Sequence, residues 1–235
     1  MAASERRELR AELAADERDA GIDAAPAFGD LRFRRLLGEA AWAELPESVR
    51  RRFSKRLAPG ETLIYRGTVV ATELSRCGRV LSFLTRLVGS PLPLSDGATG
   101  PALVVVTEDP VLGGQSWLRI YSRPGRFPQA IHSAKRFRGP TGLEEYIGCG
   151  IGMALQVEVE TGTLVFRSSG YFLELGRWRL PLPRVLHPGR MLIAHRDEGG
   201  GRFSFRLTDP SRAGAPGAPA RLFFRRLRPR ACRRA

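Results

Sequence analysis

Residues 152–160, Gly-Met-Ala-Leu-Gln-Val-Glu-Val-Glu, decide the fold. Met153, Leu155, Val157 and Val159 occupy one phase of the stretch, and Gln156, Glu158 and Glu160 the other. Successive side chains of a strand point to opposite faces, so a period of two puts the apolar set on one side and the polar set on the other. One dry and one wet face is the mark of an antiparallel sheet covering a core. Thr161-Gly162 follows as a hairpin-sized connector, and 163–175 reads as the returning strand.

Working outward, β-rich runs between turn residues recur at about 62–72, 102–108, 115–122, 129–137, 143–147, 191–198 and 202–208. Gly199-Gly200-Gly201 is a further short connector. Repeated βα units are missing, which disfavours a parallel Rossmann-type sheet. Helical signals sit upstream. Asp30 can cap a helix through about residue 43, and Pro46 suits the first turn of a second. Ser75 opens an amphipathic helix over 75–90, with Cys77, Val80, Leu81, Leu84, Leu87 and Val88 on one face. The expected class is α+β, mostly β. The expected architecture is a curved antiparallel sheet or partial barrel with N-terminal helices and the 75–90 helix packed on it.

The chain has 235 residues, 43% of them hydrophobic, enough to fill the core of a single domain. Residues 1–27 carry charge and few large apolar side chains and read as a mobile leader; 28–210 read as the single α+β domain. The last 25 residues, 211–235, hold eight arginines and no acid, so they supply +8 of a net charge of +14. They read as an Arg/Pro/Ala-rich tail, disordered or diverged. Lys55 and Lys135 are the two lysines. The arginine bias fits either genome composition or a surface for polyanions. Cys77, Cys149 and Cys232 are isolated, an odd number without a framework, which points to a reducing compartment. The N-terminus lacks the apolar stretch of a signal peptide, and no apolar run reaches the length of a membrane span. A cytoplasmic location is the expectation.

Trp117-Leu-Arg119, Ser133, Leu143-Glu-Glu-Tyr-Ile-Gly148, Leu182-Pro183 and Arg202-Phe-Ser-Phe205 occur in an order and spacing that resembles domain-of-unknown-function family 4166. Upstream, Phe33-Arg-Arg-Leu-Leu37, Arg52-Phe-Ser-Lys-Arg-Leu57 and Tyr65-Arg-Gly67 look like one subgroup of it. The resemblance covers about residues 30–210. It implies no established activity. Some relatives carry a fused saccharopine-dehydrogenase-like module, which implies, by analogy only, work beside a redox enzyme. This chain has no GxGxxG after a strand. Past Thr208 it departs from the family pattern and reads as a diverged or frame-shifted end.

Strand phase gathers candidate site residues. Trp117, Arg119 and Tyr121 share one side of their run; Ser133 and Lys135 share a side of the next, with His132 opposite. Glu145 falls in the apolar phase of its run, and an inward carboxylate needs a partner, for which Arg119 is the obvious choice. Arg119 and Glu145, with Ser133 near, can orient a polar head group in an apolar pocket, or form a structural ion pair. His195, with Asp197 two residues on, fits either a general base and its orienting carboxylate or a satisfied core histidine.

Metal spacing is missing among His132, His187 and His195, and no cofactor is expected. Gly148-Cys-Gly-Ile-Gly152 lacks the lysine and helix of a phosphate loop and reads as a bulge or close strand approach. Lys135-Arg-Phe-Arg138 suits either a phosphate grip or a charged strand end. Three functions follow. The first is a non-catalytic module binding a small, largely apolar ligand through Trp117, Arg119, Tyr121, Ser133, Glu145 and His195. The second is an enzyme using Glu145 or His195. The third is a nucleic-acid or anionic-membrane binder acting through the tail.

Overall fold

The computed structural model describes residues 30–58, 61–71, 83, 99–109, 111–123, 125–184, 187, 189–208 and 220–227. Three short helices come first: α1 (Arg32–Leu37), α2 (Glu39–Glu44) and α3 (Glu47–Phe53). The strands are β1 (Thr62–Ala71), β2 (Gly100–Glu108), β3 (Gln115–Arg123), β4 (Arg126–Arg136), β5 (Glu144–Gly148) and β6 (Ile151–Glu160). They continue as β7 (Thr163–Leu175), β8 (Trp178–Pro181), β9 (Leu192–Gly199), β10 (Arg202–Thr208) and β11 (Ala220–Leu227). The protein is mostly β, as the alternation predicts.

All strands join one curled antiparallel sheet in the order β6-β5-β4-β3-β2-β1-β11-β10-β9-β7-β8. β7 also pairs with β6, from Ile151↔Leu173 to Glu160↔Thr163, so the ladder returns to the strand where it began. The helix expected over 30–43 is broken in two by Gly38, at φ 78° and ψ 162°. Asp30 accepts the Arg32 N–H at 3.0 Å.

Two strands lie outside the sequence reading. β8 is four residues long, exposed throughout and ends in proline, so it carries no alternation to read. β11 falls within the segment read as a tail; it pairs with β1 on one side and β10 on the other, so the domain extends past residue 210. The expected leader (1–27), the 75–90 helix apart from Phe83, and the rest of 211–235 lie outside the described residues. Among the described residues no helix is long and apolar enough to cross a membrane.

The core lies on the concave side. Phe33, Trp42, Val49 and Phe53 of the helices meet Met153, Leu155, Leu164, Phe166 and Tyr171 of β6 and β7. Phe33 stands edge-on to Phe53, Phe137 and Phe166 at 5.0, 4.9 and 6.1 Å. A second cluster joins Leu63, Tyr65 and Val69 of β1 to Ala102, Val104 and Val106 of β2 and Phe203 of β10.

Up-and-down connectivity sends successive turns to alternate ends of the sheet. The β2–β3, β4–β5 and β6–β7 turns share the end where the helices pack, as the 2.7 Å pair of Arg32 with Glu108 shows. The β3–β4, β5–β6 and β7–β8 turns share the far end. At the β5–β6 turn, Gly150 has φ +76° and its carbonyl accepts the Glu174 N–H at 2.8 Å. A Cβ there would collide with the Glu174 carbonyl oxygen. Gly150→Ala is therefore expected to destabilise the fold by about 2 kcal/mol, from the left-handed backbone and the clash together. Urea denaturation of the variant checks this.

Candidate functional site

The inward phase of β3, β4 and β5 assembles a polar cluster on the concave face. Arg119 donates from Nη2 to Ser133 Oγ and to Glu145 Oε1, both at 3.0 Å. Ser133 Oγ donates to Glu145 Oε1 at 2.6 Å, and Lys135 Nζ donates to Glu145 Oε2 at 2.7 Å. Register explains the convergence: Trp117 lies opposite Ser133, and Lys135 opposite Glu145. His132 points to the other face and is exposed.

Glu145 and Lys135 are buried, whereas the Arg119 side chain keeps 21% of its surface exposed. Burial alone would push the Glu145 carboxyl up. The Lys135 and Arg119 charges, with hydrogen bonds from Lys135 and Ser133, override it and hold the carboxyl at about 2. Burial pulls the Lys135 ammonium below its usual range, with Arg119 acting the same way and Glu145 against. Two cations thus share one carboxylate. Trp117 adds an indole Nε1–H that is buried without an acceptor among the described residues, while Lys135 Nζ lies 5.2 Å from its ring centre. Tyr121 completes the β3 row, its phenol pushed up by burial against the opposing pull of Arg119. Lys135 was read as a companion of Ser133 in phase; its place as the second cation on Glu145 was not anticipated. Register was the signal: it sits across from Glu145 one strand away.

His195 stands apart from this cluster, contrary to its grouping with the site residues. It is fully buried among Phe53, Phe203 and Phe205, with ring centres 5.0, 4.9 and 4.4 Å away. Its Nε2 lies 3.1 Å from Arg52 Nη1. A guanidinium has only donors, so Nε2 is the acceptor and the neutral ring carries its proton on Nδ1. Burial, then the Arg52 charge, hold the imidazole well below its usual range. This is the core-histidine reading. In the acid limb the unfolded chain takes up the proton first, so stability falls as pH drops below about 6.5, by at most about 1.4 kcal/mol per pH unit. His195→Gln is expected to flatten that slope, as denaturation at pH 5, 6 and 7.5 will show.

On the convex face lies a second ionic cluster, which Arg179 of β8 joins. Glu144, fully buried, pairs with Arg179 and lies 3.4 Å from Arg138. Tyr146 Oη is 2.9 Å from both Glu144 Oε2 and Glu174 Oε2. Burial pushes the Tyr146 phenol up to about 12, opposed by the Arg138 contact and helped by the two glutamates. The Lys135-Arg-Phe-Arg138 stretch is thus not a phosphate grip. Lys135 is interior, Phe137 stands edge-on to Phe33, and Arg138 binds Glu174 and Tyr146.

Space differs between the two faces. Where the helices pack, the void beside Trp117, Gln115 and Tyr65 is about 20 Å³, room for one water molecule. An open groove of about 400 Å³ runs over the convex side, along Val105, Thr107, Leu118, His132 and Tyr146. The helical end of the concave face is therefore filled, and the Arg119 side chain keeps a fifth of its surface exposed. Among the described residues no group of His, Cys, Asp or Glu is placed to hold a metal ion.

Fold and site together define a helix-flanked, curled antiparallel β domain with a cation-rich cluster on its inner face. The chain belongs to the family described as Domain of unknown function (DUF4166), which matches residues 45–208. Neither the curated proteins nor the solved structures contain a match.

Proposed function

We propose that this domain is a non-catalytic module that binds a small amphiphilic anion on the concave face of its sheet. The observation that carries this reading is the imbalance of the inner cluster: two cations on one carboxylate, beside an indole N–H with no acceptor among the described residues. Buried charge and buried donors are costly when unpaired. A carboxylate or phosphate head group is the chemistry that relieves the excess of positive charge, accepting from Arg119. The surroundings suit an apolar remainder: Val104 and Ile131 flank Arg119 across the ladder, and Tyr121 follows toward the far end. Glu145, held ionised, orients Arg119 rather than touching the ligand.

Native mass spectrometry and thermal shift against long-chain fatty acids and prenyl phosphates test the reading, with the matching methyl esters and alcohols as controls. Acids are expected to bind and to raise Tm, esters and alcohols to do neither, and Arg119→Gln to weaken binding about tenfold or more. A flat thermal response across the panel, or esters that bind as well as acids, would count decisively against it.

A further inference from the structure

The far rim of the sheet has a composition unlike the rest of the surface. Leu175 is 52% exposed, Trp178 60% and Leu180 48%, on a hairpin whose β8 is the last strand in the sheet order. Register puts them on one side: Leu175 lies opposite Trp178 and Leu173 opposite Leu180, and partners in a ladder share a face. Tyr171, two residues before Leu173, belongs to the concave core, so this is the concave side continued past the rim. Phe127, at the β3–β4 turn on the same end of the sheet, is 91% exposed and is in phase with Ile131 on the same side.

Cations accompany these apolar side chains. Arg126 and Arg177 are exposed and form no ion pair among the described residues. The Arg177 guanidinium lies 5.3 Å from the Trp178 ring centre. Across the described residues of the β3–β4, β5–β6 and β7–β8 turns the one carboxylate is Glu174, which is in phase with the convex side and is bound to Arg138.

We propose that this rim docks on an anionic lipid bilayer, with Trp178, Leu175, Leu180 and Phe127 entering the interface and Arg126 and Arg177 meeting the lipid phosphates. Exposed Trp beside Leu and Arg suits the boundary between head groups and acyl chains, and the local positive charge complements an anionic leaflet. A nucleic acid would be served by the arginines and a stacking ring but gives no role to two exposed leucines. The inference goes beyond the ligand reading and stands without it.

The full-length protein is sedimented with vesicles of phosphatidylcholine alone and with added phosphatidylglycerol. Binding is expected to the anionic vesicles only and to weaken as salt rises. Arg126→Glu with Arg177→Glu should lower it about tenfold or more, and Trp178→Ser with Leu180→Ser should lower it comparably. Trp42 is already buried and Trp117 lies in the interior, so a blue shift on binding reports Trp178; Trp178→Phe should abolish the shift while binding persists. The proposal is overturned by no sedimentation at low salt, by binding that the rim substitutions leave intact, or by equal affinity for duplex nucleic acid without a shift. The rim variants replace exposed side chains or keep an aromatic ring, and unchanged thermal melts will establish that they fold.

Discussion

Glu145→Gln is expected to lower stability by about 3–5 kcal/mol, because it removes the one carboxylate that two interior cations share. Arg119 can turn toward solvent with its exposed fifth, but Lys135 is buried and has no such exit. Tm should fall by roughly 6–20 °C for a chain of this size. A second change, Lys135→Met, should restore part of the loss in the double variant, since the stranded ammonium is then gone. The carboxyl sits at about 2 against an ordinary 4.5, so its contribution is fully present above about pH 4.5 and is lost as pH falls toward 2. Glu145→Gln should therefore show a shallower acid limb than the parent. Denaturant titrations at pH 3, 4 and 7 measure both effects. A substitution that leaves stability and acid limb unchanged would mean the cluster is not the buried network described.

Ending the chain at residue 210 is expected to abolish cooperative folding, whereas ending it at residue 227 should not. β11 fills the space between β1 and β10: seven residues of β1 pair with it on one side and six of β10 on the other. Its removal leaves both neighbours with unpaired backbone edges. At about 1 kcal/mol per lost hydrogen bond, the deficit rivals the whole stability of a typical domain. Exposed edges of this length also invite pairing between chains. Near-ultraviolet circular dichroism and size-exclusion chromatography of the two truncations decide the point. A folded, monomeric 1–210 chain would show that β11 is dispensable. The same strand changes what a tail deletion means, because lost polyanion binding after such a cut would report unfolding as readily as a missing arginine surface.

Much of the site was legible from residue order. Periodicity of two put Arg119, Ser133, Lys135 and Glu145 on inward phases, and burial rules then required a partner for the carboxylate. His195 was legible only as an inward residue. That Arg52, far off in the chain, would occupy its Nε2 depends on how α3 is set against β9, which no local pattern encodes. The convex cluster escaped for a related reason. Glu144 occupies the outward phase and reads as solvated, and it is buried because the turn at Gly139 packs against its carboxylate and Arg179 reaches it from β8.

By itself the chain's residue order determined the mostly β class, the strands with clean alternation, and which side chains face inward. These follow from backbone geometry, which repeats every two residues and is local. The tertiary structure alone decided that the ladder comes round through β7 to β6, that residues 220–227 complete it, and that exposed apolar and cationic side chains of separate turns share one end of the sheet. Those outcomes depend on register and curvature between segments up to about 160 residues apart, where pairing is chosen by competition among whole strands rather than by any short stretch.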